Sequence, residues 1–118
     1  MNALLWIAQV VLGVLFALSG LVKATQPMEK LIARYPWMGD VSAGLIRFIG
    51  VVEILGGIGL IVPRATAIAP VLTPLAATGL AVLTGLGLVM HLRRREPEGV
   101  RITAVLFVLT ALLAGALF

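Results

Sequence analysis

The chain has 118 residues, of which 61% are hydrophobic and only 12% are charged, and its mean hydropathy is +1.15. An average soluble domain carries about 25% charged residues, and a short one leaves much of its surface in water. The composition therefore excludes a water-soluble domain and predicts a chain that faces lipid. The absence of cysteine excludes disulfides, iron–sulfur clusters and thiolate metal sites. The net charge of +4 is explained better by basic loops than by nucleic-acid binding.

Four apolar stretches are long enough to cross a bilayer, whose hydrocarbon core needs about 20 helical residues. Each stretch must be helical, because backbone groups cannot remain unpaired in lipid. The first exceeds a signal-peptide apolar region and has no preceding Lys or Arg, so we interpret it as a retained helix. The sequence thus predicts an all-α fold, an integral membrane four-helix transmembrane bundle in one domain. Its predicted spans are residues 3–22, 44–62, 66–90 and 102–118 of the domain 1–118.

The segment between the first two spans is expected to form a short amphipathic helix in the membrane interface. Its apolar side chains recur at helical spacing, with charged side chains opposite. Pro27 suits a first helical turn, and Pro36 ends the pattern. The apolar positions are Met28, Leu31, Ile32 and Tyr35, and the charged ones are Glu29, Lys30 and Arg34. A plain cytoplasmic loop is the alternative.

Small residues repeat at four-residue spacing in three spans, a pattern that lets membrane helices approach closely. The repeats are Gly13 with Ala17, Ala77 with Ala81 and Gly85, and Ala111 with Gly115. The sequence leaves open whether they face neighbouring helices or a second copy. Pro70 and Pro74 predict a kink in the third span.

The distribution of Lys and Arg predicts the orientation. Seven of these residues lie in the connections after the first and third spans, and only Arg64 lies in the connection after the second. Because basic loops stay in the cytoplasm, both termini are expected outside it. The seven are Lys23, Lys30, Arg34, Arg93, Arg94, Arg95 and Arg101.

Glu53 is the strongest candidate for a functional residue, since it lies near the middle of the second span. A charge there costs several kcal/mol unless it is paired, hydrated or neutralised. Arg47 lies six residues earlier, which is about 240° around a helix. We therefore expect Glu53 to point inward and to reach Arg47 directly or through one bridging group. A polar cavity with Glu53 at its floor would also include Ser19, Lys23, Thr84 and His91.

Two interpretations of these residues remain open. Glu53 either serves a ligand-binding or proton-handling pocket, or is neutral or hydrogen-bonded and only holds the bundle together. Lys23 and His91 have an additional alternative as ordinary interfacial residues. His91 is the single histidine, so it cannot supply two axial ligands to a haem, and no second metal-binding residue lies near it in the sequence. No metal or haem site is therefore predicted. No complete catalytic constellation occurs, so the chain is not expected to be an enzyme alone, although it could belong to an oxidoreductase.

Short motifs follow one another in a characteristic order. Residues 16–23 read FALSGLVK at the end of the first span, and an amphipathic connector follows near Pro27. The second span carries Arg47 with Gly50, Glu53 with Gly56 and Gly57, Gly59 with Leu60, and Pro63 with Arg64, and His91 ends the third span. This order resembles the DoxX-like family of small four-helix membrane proteins.

The resemblance implies a four-helix bundle with Arg47 and Glu53 in the polar positions of the family. Some relatives are named as subunits of thiosulfate:quinone oxidoreductase, and others are associated with membrane redox-stress complexes. The resemblance thus leads us to expect a bacterial inner-membrane accessory or ligand-binding subunit linked to quinone or redox chemistry. Such a subunit would have no covalent cofactor but could bind a quinone or lipid. Its expected partners are membrane lipid, a redox subunit or a second copy of the chain, and not nucleic acid.

Two other classes of function are the alternatives. A small proton-coupled transporter would also use a membrane-embedded glutamate. In such exporters, however, the acid is expected in the first span within an aromatic-lined pocket, and this chain has seven aromatic residues in all. The third class is a purely structural assembly subunit.

Overall fold

A computed structural model describes residues 3–69 and 71–117, and its regular structure in these ranges is helical. The helices are α1 (Ala3–Thr25), α2 (Met28–Arg34), a short 3-10 helix (Pro36–Asp40), α3 (Ala43–Thr66), α4 (Leu72–Arg93) and α5 (Pro97–Leu117). Four of them, α1, α3, α4 and α5, are long and apolar enough to cross a membrane. The predicted all-α transmembrane bundle with a short helix after the first span is therefore confirmed.

The four long helices pack in chain order. α1 lies against α3, α3 against α4 and α4 against α5, while α1 and α5 make few contacts. Apolar side chains from all four meet in one core, whereas many other large apolar side chains face outward, as a bundle surrounded by lipid requires. The buried members of this core are Leu12, Phe16, Leu60, Ala77, Leu80 and Leu113.

Glycines bring α1 and α3 into backbone contact at two levels. Gly13 lies against Gly57, and Gly20 lies against Gly50. A methyl group on Gly50 would lie 2.7 Å from the carbonyl oxygen of Gly20, too close for any real contact. Antiparallel helices can approach this closely only where both lack side chains. The predicted Gly13–Ala17 repeat therefore faces α3 of the same chain.

The other two small-residue repeats have different surroundings. Ala77 and Ala81 are buried within the bundle, and Gly85 lies against the ring of Phe107 on α5. Ala111 and Gly115 on α5 are exposed instead. Within the described residues, nothing lies within 4 Å of a methyl group placed on Gly115.

The connection between α3 and α4 differs from the prediction. Helix α3 continues past the buried Pro63 and ends at Thr66, because the next residue, Ala67, adopts a left-handed conformation (φ 59°) that stops the helix. Because α4 begins at Leu72, Pro74 lies in its first turn. An N–H group is not needed there, so this proline costs no helical hydrogen bond and gives no reason for the predicted kink. Pro70 lies outside the described residues.

The amphipathic segment packs beneath one end of the bundle. Leu31 of α2 and Met38 of the 3-10 helix form a small core with Ile46 of α3. The charged side chains Glu29, Lys30 and Arg34 are exposed, as predicted. Ile32 is also exposed, so the apolar face of α2 is narrower than the pattern indicates. We call this end of the molecule, residues 23–43 and 91–101, the basic end.

Candidate functional site

A buried ion pair joins α1 to α3. Lys23 Nζ donates a hydrogen bond to Glu53 Oε1 at 2.6 Å and another to Ser19 Oγ at 3.2 Å. The Glu53 side chain is 6% exposed and that of Lys23 is 18% exposed. The carboxylate is therefore enclosed, while its cationic partner can still be reached from outside the bundle.

The direction of side chains on the two helices explains why this pair forms. Side chains on a helix tilt toward its N-terminus. Lys23 lies near the C-terminal end of α1, so its side chain points back into the bundle, past Ser19 one turn earlier. Helix α3 runs the opposite way, so Glu53 tilts toward the basic end. The two charged groups therefore meet between the levels of their own Cα atoms.

Arg47 contacts the backbone of α1 and not Glu53. Its Nη1 atom donates hydrogen bonds to the carbonyl oxygens of Lys23, at 2.9 Å, and Gln26, at 2.6 Å. The last carbonyls of a helix lack partners within it and carry partial negative charge, so a cation there is stabilising. Lys23 is thus the link between the two residues, with its carbonyl bound to Arg47 and its ammonium bound to Glu53.

Thr84 lies at the level of Glu53 but is occupied by its own helix. Gly56 faces Leu80 across the α3–α4 contact, and this antiparallel register places Glu53 level with Thr84. The buried Thr84 hydroxyl donates to the carbonyl oxygens of Leu80, at 2.8 Å, and Ala81, at 3.1 Å. Its hydrogen atom is therefore not directed at the ion pair.

His91 belongs to a second polar cluster at the basic end. Its Nδ1 atom lies 2.8 Å from Glu96 Oε1, and its ring meets the ring of Trp37 edge-on, with centroids 6.1 Å apart. Arg94 pairs with Asp40 and with the same Glu96. The hydrogen bond that Arg94 donates to Asp40 raises the pKa of Arg94 above its usual range. This cluster ties the 3-10 helix to the α4–α5 connection.

The contacts of His91 therefore separate it from the Lys23–Glu53 pair, although the sequence predicts one polar cavity for all three residues. The structure adds partners that the sequence pattern does not indicate, Trp37, Asp40 and Glu96. Opposite charges close together in the α4–α5 connection were the available signal for Arg94 and Glu96. Nothing in the sequence links Asp40 or Trp37 to that connection.

A third polar group lies toward the end of the bundle opposite the basic end. Gln9 is fully buried, and its Nε2 atom donates to the carbonyl oxygen of Leu60 at 2.9 Å. Gln9 Oε1 and the hydroxyl of the buried Thr73 have no hydrogen-bond partner in the described part of the chain. Gln9 thus adds a second polar contact between α1 and α3.

No three His, Cys, Asp or Glu side chains come close enough to hold a metal ion within residues 3–69 and 71–117. Between α1 and α3, the described residues enclose the Lys23–Glu53 pair, the Arg47 guanidinium and the Gln9 amide. Groups of these kinds can hydrogen-bond to polar atoms of a ligand, and a carboxyl group can take up or release a proton.

Four apolar helices, two of which are joined by a buried ion pair, define a small multi-pass membrane protein. The model of the DoxX-like family matches residues 7–113, so the chain belongs to that family. The matched range includes Ser19, Lys23, Arg47 and Glu53. Comparisons with curated proteins and with solved structures give no match.

Proposed function

We propose that this DoxX-like protein is an accessory subunit of the bacterial inner membrane that binds a lipophilic ligand of quinone type beside the Lys23–Glu53 pair. The partly exposed ammonium of Lys23 is the observation that carries the proposal. An ammonium has three N–H donors, and two of those on Lys23 are directed at Ser19 and Glu53. The third has no acceptor in the described part of the chain and suits a ligand carbonyl.

The surroundings of Lys23 favour a lipophilic ligand over a water-soluble one. Helices α1 and α3 touch through Gly20 and Gly50, so a ligand cannot pass between them and must approach from the exposed side of Lys23. In a medium of low polarity a hydrogen bond to a charged donor is strong. A quinone combines an apolar ring with carbonyl acceptors and dissolves in the membrane, so it meets both requirements.

Glu53 would add proton exchange to this site. Only the Lys23 ammonium would separate the Glu53 carboxylate from the ligand carbonyl. Because quinone reduction consumes protons, a carboxyl group at this position could supply one. The chain has no cysteine to hold an iron–sulfur cluster. We therefore assign electron transfer to a partner subunit and ligand binding to this chain.

Photolabelling with a quinone analogue tests the proposal. The double variant Lys23→Leu/Glu53→Leu removes the donor without leaving an unpaired charge. The matched control is Glu29→Leu/Lys30→Leu, which makes the same changes at exposed positions of α2. In proteoliposomes, wild type and control should be labelled on α1 and α3 and should lose the label to excess quinone. The Lys23–Glu53 variant should lose this competable label. Equal labelling of all three proteins would contradict the proposal.

Glu53→Gln distinguishes a functional carboxylate from a structural one. Glutamine keeps the shape and a hydrogen-bond acceptor for Lys23 but cannot exchange a proton. We expect the variant to fold and insert but to lose quinone-dependent activity when reconstituted with its partner subunit. Full activity would instead support a structural role for Glu53. In that case the contacts of Lys23 and Arg47 would serve only to hold α1 against α3. Transport of a solute driven by a proton gradient, in proteoliposomes that contain this protein without a partner subunit, would favour the transporter alternative.

We propose that the basic end faces the cytoplasm, which places both termini outside it. The proposal rests on the positions of the basic residues, seven of which lie at this end. Alkaline phosphatase fused after the last residue should be active, and green fluorescent protein fused there should be dark. The reverse pattern would show that the orientation is wrong.

A further inference from the structure

A groove lies at the corner where α4 ends and α5 begins. Its volume is about 430 Å³. A second groove of about 310 Å³ continues from Arg101 along α5. The first is lined by Leu92, Arg95, Glu96, Pro97, Val100 and Arg101, and the second by Arg101, Ile102, Val105 and Leu106. Arg101 is common to both, so the two grooves form one continuous surface.

Two arginines in this corner carry charge that nothing in the described part of the chain neutralises. Arg95 and Arg101 have no ion-pair partner there, in contrast to Arg94, which pairs with Asp40 and Glu96. The one carboxylate in the groove lining, that of Glu96, is already bound to His91 and Arg94. The first groove therefore presents net positive charge.

Arg95 occupies a backbone conformation that glycine fills at many helix ends. Its φ angle is 56°, and the Glu96 N–H that follows bonds to the carbonyl oxygen of His91 at 3.1 Å. This turn carries the chain from α4 into α5. It also keeps a long cationic side chain at the rim of the groove, where the backbone alone would favour glycine.

The lower part of the surface is apolar and lies on a membrane-spanning helix. Ile102 and Val105 are 61% and 54% exposed, and the groove runs from the basic end toward the centre of α5. Guanidinium groups bind phosphate oxygens in pairs of hydrogen bonds, and an acyl chain can cover an apolar surface of this kind. A free phosphate would leave the apolar part of the surface uncovered.

We propose that the α4–α5 corner binds one anionic phospholipid. Its phosphate lies between Arg95 and Arg101, and one acyl chain follows Ile102, Val105 and Leu106. This site is separate from the Lys23–Glu53 pair and does not depend on what that pair binds.

Lipid titration of the purified protein tests the site. The variant Arg95→Gln/Arg101→Gln removes both cations, and Arg93→Gln is the matched control, an exposed arginine at the end of α4 outside the groove lining. Phosphatidylglycerol should bind wild type and control alike in native mass spectrometry. Its affinity for the double variant should fall by about fivefold for each arginine lost, as expected for a cation near a lipid surface. Equal affinity of the double variant and the control would overturn the proposal.

A second set of measurements separates a lipid from a free phosphate and covers failure of the double variant to fold. Val105→Trp fills the apolar groove and leaves both arginines in place, and it should also weaken phosphatidylglycerol binding. Phosphatidylcholine and inorganic phosphate should protect wild type against heat less than phosphatidylglycerol does. Unchanged lipid binding in Val105→Trp, or equal protection by inorganic phosphate, would overturn the proposal.

Discussion

The two halves of the bundle are held together in different ways. Helices α1 and α3 meet backbone to backbone at Gly20 and Gly50 and add the Lys23–Glu53 pair. Helices α4 and α5 meet mainly through side chains, such as the ring of Phe107 against Gly85. The first contact allows one register, because any shift brings a side chain against a backbone, whereas side chains can repack.

Side-chain hydrogen bonds between helices follow the same division. On α4 and α5, threonines such as Thr84 and Thr110 donate to carbonyls of their own helix, which satisfies them without fixing a neighbour. On α1 and α3, Gln9, Lys23 and Arg47 all bond across to the other helix. We infer that a site needing fixed geometry belongs to the α1–α3 half and that the α4–α5 half is the more adaptable surface.

The largest expected effect comes from breaking the ion pair on one side only. Lys23→Leu leaves Glu53 buried without its partner, and loss of one member of a buried pair destabilises proteins by about 3 kcal/mol or more. Lys23→Leu/Glu53→Leu should recover most of that loss, because two apolar side chains replace the pair. Unfolding in detergent mixtures measures both variants. A double variant as unstable as the single one would show that the two charges are not coupled.

A smaller effect is expected from filling the backbone contact between α1 and α3. Gly50→Ala places a methyl group against the carbonyl oxygen of Gly20 and should cost about 1–3 kcal/mol, the usual range for overpacking. Gly79→Ala on α4 is the matched control, since nothing described lies within 4 Å of the added methyl group. Unfolding should show a loss for Gly50→Ala alone. If both variants unfold alike, the contact between α1 and α3 at Gly50 is not as close as described.

The smallest effect should come from the cluster at the basic end. Arg94→Gln removes the contacts with Asp40 and Glu96, which are partly exposed ion pairs and contribute little to stability. Thermal unfolding should remain close to wild type. Proteolysis within the 3-10 helix should become faster, since Arg94 ties that helix to the α4–α5 connection. A large loss of global stability would contradict the view that this region is an adaptable surface.

The sequence predicts the helices of this fold because lipid makes long apolar runs unambiguous. It also identifies Glu53, since a buried charge stands out in such a run. The sequence alone does not predict that Glu53 pairs with Lys23. Lys23 reaches Glu53 only through the tilt of its side chain and the helix register that the glycines set. Arg47 is nearer in the sequence, yet it points to the end of α1. The relation of His91 to Trp37 depends on how the interfacial segment folds back, which no local pattern encodes.

The contacts of Arg47 also constrain the order in which the chain can assemble in the membrane. Arg47 binds carbonyl oxygens of Lys23 and Gln26, and Lys23 binds Glu53, so the charge of Lys23 and these terminal carbonyl groups are compensated by side chains of α3. An isolated α1 in lipid would carry an unpaired ammonium and uncovered carbonyls, and an isolated α3 would carry an unpaired carboxylate. We therefore expect the two helices to enter the bilayer most favourably together, with α2 and the 3-10 helix connecting them.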